Sequence, residues 1–251
     1  MTDESGLDGG GAATAVDGPI TLALDIGGSG LKAGRLDAAG GLIGQSLRVA
    51  TPHPSPPAVV VPALTGMANS LGNFERASVG FPGVVRSGKV LTAPNLGTAD
   101  WAGYDLAGTL RELLGVPVRV ENDATVQGLG VISGRGLECV ITLGTGFGFA
   151  LYQDGRLAPH LEVSQHIAHG KKTYDEYVGV AALEKIGRKH WNKRVKRILR
   201  QLRVMVNFDT LYIGGGDAKE IDFELPADTH IVSNKAGLTG GVQLWNKANL
   251  P

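Results

Sequence analysis

The residues best suited to chemistry are a short carboxylate at a junction between elements and two runs of glycine. Glu121-Asn122-Asp123-Ala124 falls where an apolar strand signal gives way to a helical one, a position from which a carboxylate can project into a cleft between domains. Phosphoryl transfer to an alcohol needs positioning, neutralised charge and one carboxylate to accept the hydroxyl proton, and Asp123 has the type and place of that base. The plainer reading of the same stretch is a helix N-cap supplied by Asn122 or Asp123.

The first glycine run, Asp25-Ile26-Gly27-Gly28-Ser29-Gly30-Leu31-Lys32, sits between two strand signals. That separates it from the Rossmann and P-loop motifs, which place phosphate at a helix N-terminus. In a hairpin, bare backbone N–H groups of Gly27, Gly28 and Gly30 can approach phosphate oxygens, Ser29 adds a hydroxyl, and Asp25 can hold a hydrated Mg²⁺. An ordinary hairpin with Asp25 capping its turn is the alternative. The second run, Gly144-Thr145-Gly146-Phe147-Gly148, has the makings of an opposing clamp on the same phosphates. Gly214-Gly215-Gly216 offers backbone room for an adenosine, or simply a tight turn.

These residues need elements to hold them. The pattern predicts strands over Ile20–Asp25, Leu31–Asp37 and Leu42–Val49 as an antiparallel meander, closed by the proline-rich Thr51–Pro57. It then predicts a helix over Ala58–Leu71 interrupted at Pro62, a strand over Ala77–Phe81, a helix over Asp105–Leu114, a strand over Val118–Glu121 and a helix from Asp123 to about Gly130. A second strand-turn-strand unit, Cys139–Leu143 and Phe149–Tyr152, echoes the first about 120 residues on. A long helix over Val180–Val206 follows, with Val195, Ile198, Leu199, Leu202, Met205 and Val206 on its apolar face. A short strand, Leu211–Ile213, and a closing helix, Thr239–Lys247, complete the reading.

The composition, 43% hydrophobic and 19% charged over 251 residues, is that of a folded globular chain with room for two domains. The 38 glycines are the outlier, and they cluster in loops. One cysteine, Cys139, can form neither an internal disulfide nor a multi-cysteine zinc site, and no apolar run is long enough for a bilayer. A cytoplasmic protein is therefore expected. Net charge is zero, yet Lys171–Arg203 holds eleven Lys and Arg against three carboxylates. The cations of 185–203 make a surface fit for a long polyanion such as polyphosphate, or alternatively a solvated face or dimer contact. Few aromatics accompany them, so nucleic acid is not the expected partner.

Taken in order, Leu24–Lys32, Gly80-Phe81-Pro82-Gly83, Thr92-Ala93-Pro94-Asn95-Leu96 with Trp101, Glu121–Ala124, Leu143–Gly146 and Ile213–Gly216 resemble the ROK family of sugar kinases, over about residues 20–245. Within it they are most similar to the polyphosphate glucokinase-like branch. The resemblance implies an α/β, actin-like ATPase (ribonuclease H-like) fold with two domains around an interdomain cleft. Its parts would be a disordered tail over 1–18, a first domain over 19–123 and a second over 124–251, whose last helix is free to pack back on the first. It implies a hexose kinase using polyphosphate or ATP with Mg²⁺, commonly as a homodimer, with Asp123 as base and Asn95, Asn122 and Glu162 at the sugar.

Three departures stand out, one being a short segment between Gly216 and the last helix, which would abbreviate the adenine pocket. Where the family carries Glu-x-Gly-His, this chain reads Glu162-Val163-Ser164-Gln165-His166, so Gln165 takes the place of a sugar-contacting histidine, with His166 beside it. Glutamine still hydrogen-bonds a hydroxyl but does not titrate, which leaves a catalytically weak sugar or phosphate sensor as the alternative function. The zinc-binding cysteines of many relatives are also absent, so no structural zinc is expected. A sugar-responsive repressor would need a DNA-binding module ahead of Ile20, and none is expected here.

Overall fold

The computed structural model describes residues 18–233 and 236–246. The expected tail over 1–18 falls outside them except for Gly18, as does Lys247 of the expected closing helix.

The first lobe opens with β1 (Thr21–Ile26), β2 (Gly30–Leu36) and β3 (Leu42–Ala50), the antiparallel meander read from the sequence. It continues through α1 (Pro57–Asn69), β4 (Arg76–Phe81), a small hairpin of β5 (Val85–Arg86) and β6 (Lys89–Val90), α2 (Thr98–Trp101), α3 (Leu106–Leu114) and β7 (Val118–Asn122). Then come α4 (Asp123–Leu129), β8 (Leu137–Leu143), β9 (Phe147–Gln153), β10 (Arg156–Leu157), β11 (Ile167–His169), β12 (Lys172–Thr173), α5 (Tyr174–Val178), α6 (Val180–Val206), β13 (Thr210–Gly214), β14 (Thr229–Ile231) and α7 (Ala236–Thr239).

The two five-stranded sheets share one plan. Their orders are β3-β2-β1-β4-β7 and β10-β9-β8-β13-β14. In each, a meander of three antiparallel strands is extended by two parallel strands from the meander's first strand. Parallel strands need crossovers and lie buried on both faces, and β1 and β4 are each buried at five of their six positions. Leu22, Leu24, Ile26 and Val79 pack under α1 and α3 with Leu64, Trp101 and Leu110. In the second sheet Ile141, Phe149 and Ile213 pack under α5 and α6 with Trp191, Ile198 and Leu202. The helix α4 lies between the sheets, against β4 on one side and β8 and β9 on the other.

Three expectations are corrected. Helix α1 runs unbroken through Pro62. The carbonyl that loses its partner to that proline is on Ala58, in the exposed first turn where water can reach it. The long helix is broken at Gly187, whose φ of 74° and ψ of 157° are not helical, and the side chain of Met205 is 59% exposed, not part of the buried face. The closing segment is one short turn, α7, followed by a tight 3-10 stretch over Gly240–Trp245. Gly240 is pressed onto the Val126 carbonyl so closely that no side chain fits, and a methyl on Gly241 would lie tightly, 3.1 Å, against Ser78 Cβ. Ser78 Oγ donates to the Gly241 carbonyl at 2.6 Å and Trp245 Nε1 donates to Ser78 Oγ at 2.9 Å, tying this segment to the first sheet.

Candidate active site

A cleft of about 730 Å³ opens between the sheets, and most residues singled out in the sequence line it. From the first lobe come Asp25, Gly27, Gly28, Ser29, Gly30, Lys32, Asn95, Asn122 and Asp123. Asp25 ends β1, directly opposite Lys32 on β2, and the pair is bridged at 2.7 Å. Gly80 on the neighbouring β4 pairs with Asp25 and stands close to both Asp25 and Asp123. A methyl placed there would lie 3.4 Å from Asp123 Cα and 3.6 Å from Asp25 Oδ1. Thr51 braces the glycine hairpin by donating its hydroxyl to the Gly27 carbonyl at 2.6 Å.

Asn122 is the N-cap of α4. Its Oδ1 accepts from Thr125 N–H at 3.2 Å and its Nδ2 donates to the Gly83 carbonyl at 3.2 Å. The capping reading is therefore what Asn122 does structurally, with one amide hydrogen and one lone pair left toward the cleft. Asp123 is the first helical residue, its Oδ1 accepting from Ala124 N–H at 2.8 Å.

The second lobe contributes Gly144, Thr145, Gly146, Glu162, Gly215 and Gly216. The two glycine loops meet across the cleft: a methyl on Gly28 would lie 2.8 Å from Thr145 Cγ2 and 3.4 Å from Asn95 Cβ. Asp175 holds the second loop, its Oδ1 accepting from Phe147 N–H at 2.6 Å. Gly214 does not line the cleft, because it is the buried end of β13 and packs against Gln127, which does.

Gln165 and His166 stand apart from the other expected sugar residues. Both are exposed and outside the residues that line the cleft. Gln165 Nε2 instead donates to Asp175 Oδ2 at 2.8 Å, so it bears on the second glycine loop through Asp175. Residues not picked out from the sequence take part in the cleft: Arg48, Gln127, His160, Asp175, Glu184, Asp217 and Lys219. Arg48 lies across from Lys32 on β3, with its guanidinium over Gly30. Lys32 is engaged with Asp25, which leaves Arg48 and Lys219 as cations in the cleft without an ion-pair partner among the described residues. Register counted from the turn, where Leu36 pairs with Leu42, would have set Ser46 beside Lys32; an irregularity between Ala33 and Arg35 shifts the pairing by two and brings Arg48 there instead.

The electrostatics centre on Asp123. Burial, then the Asp25 carboxylate and then Glu162, push its carboxyl up to about 7 against the Ala124 N–H bond. Asp175 is pushed up to about 6, by burial first and by Glu162 against the Phe147 bond. Burial also raises Glu121 and Asp217. In Glu162, burial is outweighed by the His160 imidazole and Ser164, and its carboxyl falls below the ordinary value. A carboxyl that titrates near neutrality at the floor of a cleft has the proton affinity of a general base at physiological pH.

Around the cleft, the basic helix is divided in its use. Arg203 bridges Asp228 at 2.6 Å, Arg188 faces Glu220 and Asp222, Arg194 stacks on Tyr177 and Lys196 lies over Phe223. Lys185, Lys189 and Lys193 are exposed and without ion-pair partners among the described residues. No group of three or more His, Cys, Asp or Glu poised to hold a metal occurs among the described residues, and none of their helices is long and apolar enough to cross a membrane.

Two lobes of one strand order, each presenting a glycine hairpin to a shared cleft, define the actin-like ATPase class. The ROK family model matches residues 21–178, and the chain belongs to that family. It is 32% identical over 234 residues to the polyphosphate glucokinase of Mycobacterium tuberculosis (strain CDC 1551 / Oshkosh), covering 86% of this chain and 88% of that protein. Among solved structures it is similar to the inorganic polyphosphate/ATP-glucomannokinase of Arthrobacter sp. strain KM, with a TM-score of 0.82 and 30% identity over 90% of this chain and 98% of that one. The ROK family glucokinase of Streptomyces griseus shares the fold, with a TM-score of 0.70 at 22% identity over 90% and 98% of the two chains.

Proposed function

We propose that this chain is a hexose kinase that transfers the terminal phosphate of polyphosphate or ATP to the 6-hydroxyl of glucose or a similar sugar. The observation that carries the reading is the convergence of Asp25 and Asp123 beneath two glycine loops that approach each other from opposite lobes. The kinase relatives at 32% and 30% identity support the same activity. Asp123 accepts the hydroxyl proton as the oxygen attacks phosphorus. Glu162, Asn95 and the free valences of Asn122 orient the sugar, and the N–H groups of Gly28, Ser29, Thr145 and Gly146 hold the donor, those of Gly27 and Gly144 being spent on the Gly30 and Gly146 carbonyls within the loops. Gln165 acts at one remove, keeping Asp175 in place behind the second loop. The units that close on substrate are 19–123 and 124–251, with α4 between them as the hinge.

The oxygen-rich setting of Asp25 suits Mg²⁺, which favours carboxylate, water and phosphate oxygens. Asp25 would hold it through water, and the ion would neutralise phosphate charge. The donor's far end would run toward α6, whose first turn supplies Val180 and Glu184 to the cleft and whose exposed cations lie beyond.

The test is phosphorylation of glucose, mannose, fructose and N-acetylglucosamine with Mg²⁺ and either ATP or polyphosphate. Turnover with one sugar and donor is expected. Sugar binding without turnover on any pair would replace the kinase with a sensor of the same fold.

A further inference from the structure

His160 stands in the cleft with an unmet requirement. Its Nε2 is buried and has no hydrogen-bond partner, although the side chain as a whole is 19% exposed. Buried polar atoms are almost always paired, and leaving one unpaired costs about 1–3 kcal/mol. The nearest acid, Glu162 Oε2, is 3.7 Å away, too far for a hydrogen bond between them. Two atoms at that separation can nevertheless both reach one oxygen placed beside them. A hydroxyl fits that place chemically, because it accepts from an imidazole N–H and donates to a carboxylate at once. The pair faces the reacting end of the cleft, since His160 acts electrostatically on Glu121, and Glu162 on Asp123.

We propose that His160 is a sugar-binding residue, its Nε2 and the Glu162 carboxylate together gripping one ring hydroxyl of the hexose. This rests on the hexose kinase reading above. It also accounts for how the chain manages with Gln165 turned away on Asp175: the imidazole at the sugar comes from two residues before Glu162 rather than from three after it. A phosphate would not suit the same place, because Glu162 would repel it.

The experiment is calorimetric titration of the full chain, without donor, with glucose and with 1-, 2-, 3- and 4-deoxyglucose. Wild type, His160→Ala and His160→Gln are compared. His160→Ala should weaken glucose binding about 10- to 100-fold, the loss expected when a buried partner goes unpaired. For one deoxyglucose alone that loss should shrink to less than about 3-fold, because the hydroxyl that His160 grips is already missing. His160→Gln, which keeps a donor and fills the space, should fall between, and it stands in if the alanine variant does not fold. Unchanged glucose affinity, or equal weakening across all five sugars, would overturn the assignment. Turnover assays on the same preparations separate the two readings. A chain that binds glucose through His160 but transfers no phosphate loses the kinase and keeps this site. One that phosphorylates hexoses with His160→Ala unaffected keeps the kinase and loses this site. Wild type that binds no hexose overturns both.

Discussion

Replacing Asp123 with asparagine should remove catalysis and, in the same step, stabilise the fold. The side chain's Oδ1 accepts from Ala124 N–H, and an amide oxygen can keep that bond. What the substitution removes is a charge held among Asp25, Glu162 and buried surroundings, which push the carboxyl from 3.8 to about 7. At about 1.4 kcal/mol for each pH unit in that interval, holding Asp123 ionised costs the folded state a ceiling of about 4 kcal/mol. The folded value is the higher one, so the contribution is stability that is fully present below about 3.8 and is lost as pH rises to about 7. The difference between Asp123→Asn and wild type should therefore be small near pH 4, widen through pH 5 and 6, and level off above about 7. For a chain of this size each kcal/mol moves the melting temperature by about 2–4 °C, so the ceiling at pH 8 is about 8–16 °C. Thermal unfolding at pH 4.5 and 8, beside a glucose kinase assay, reads both effects. Turnover should fall about 10²- to 10⁴-fold. A stability difference that is the same at both pH values would refute the argument that Asp123 is strained by its charge, and retained turnover would refute its role as base.

Four further expectations follow from the same geometry. In wild type, kcat/KM should rise with pH along a limb of unit slope and flatten above about 7, and a profile flat between pH 5 and 8 would place the base elsewhere. Gly28→Ala sets a methyl against Thr145 Cγ2 and should cost up to about 10²-fold in kcat/KM by holding the loops apart, while adding Thr145→Ser, which deletes that methyl, should recover most of it. Combined alanine substitution of Lys189, Lys193 and Arg197, which share one face at four-residue spacing, should raise KM for polyphosphate and flatten its salt dependence while leaving that for ATP within about two-fold. An equal effect on both donors would remove the helix from polyphosphate binding. Glu138, fully buried, accepts from the N–H groups of Ser133, Gly134 and Arg135 and from the Tyr212 hydroxyl. Glu138→Gln should lower unfolding stability by about 1.5–3 kcal/mol in denaturant titration without altering KM for either substrate.

What the sequence disclosed depended on whether the information was local. The meander, the glycine hairpins and the junction at Asn122-Asp123 are written in runs of adjacent residues, so pattern and turn chemistry found them. Gly187 and the pair Gly240-Gly241 were also visible as letters, yet a glycine in a helical pattern is equally a tolerated helix residue and a break. Only packing decides, and at Gly240 the Val126 carbonyl of α4 stands so close that no side chain fits. Met205 shows the same limit in a different form. Its spacing puts it on the apolar face, but in the last turn of α6 it is left 59% exposed.

The cleft itself shows why a motif can be aligned correctly and still mislead about contacts. Gln165 occupies the position of a sugar ligand by count, and the chain there does pass the cleft, since Glu162 and Ser164 both line it. Gln165 sits in a turn closed by the His166 N–H on the Val163 carbonyl, however, and finds Asp175 at 2.8 Å rather than the cavity. His160 lines the cleft beside Leu161 and Glu162. It brings an imidazole to the cleft from a position that no motif marks. The signal that identifies it, a buried nitrogen without a hydrogen-bond partner, exists only in the folded chain. Sugar preference in this chain should therefore follow substitutions at His160 more closely than at Gln165. Comparing glucose-to-mannose selectivity in His160→Gln and Gln165→Asn would show it: a larger change in the second would return the specificity to the aligned position.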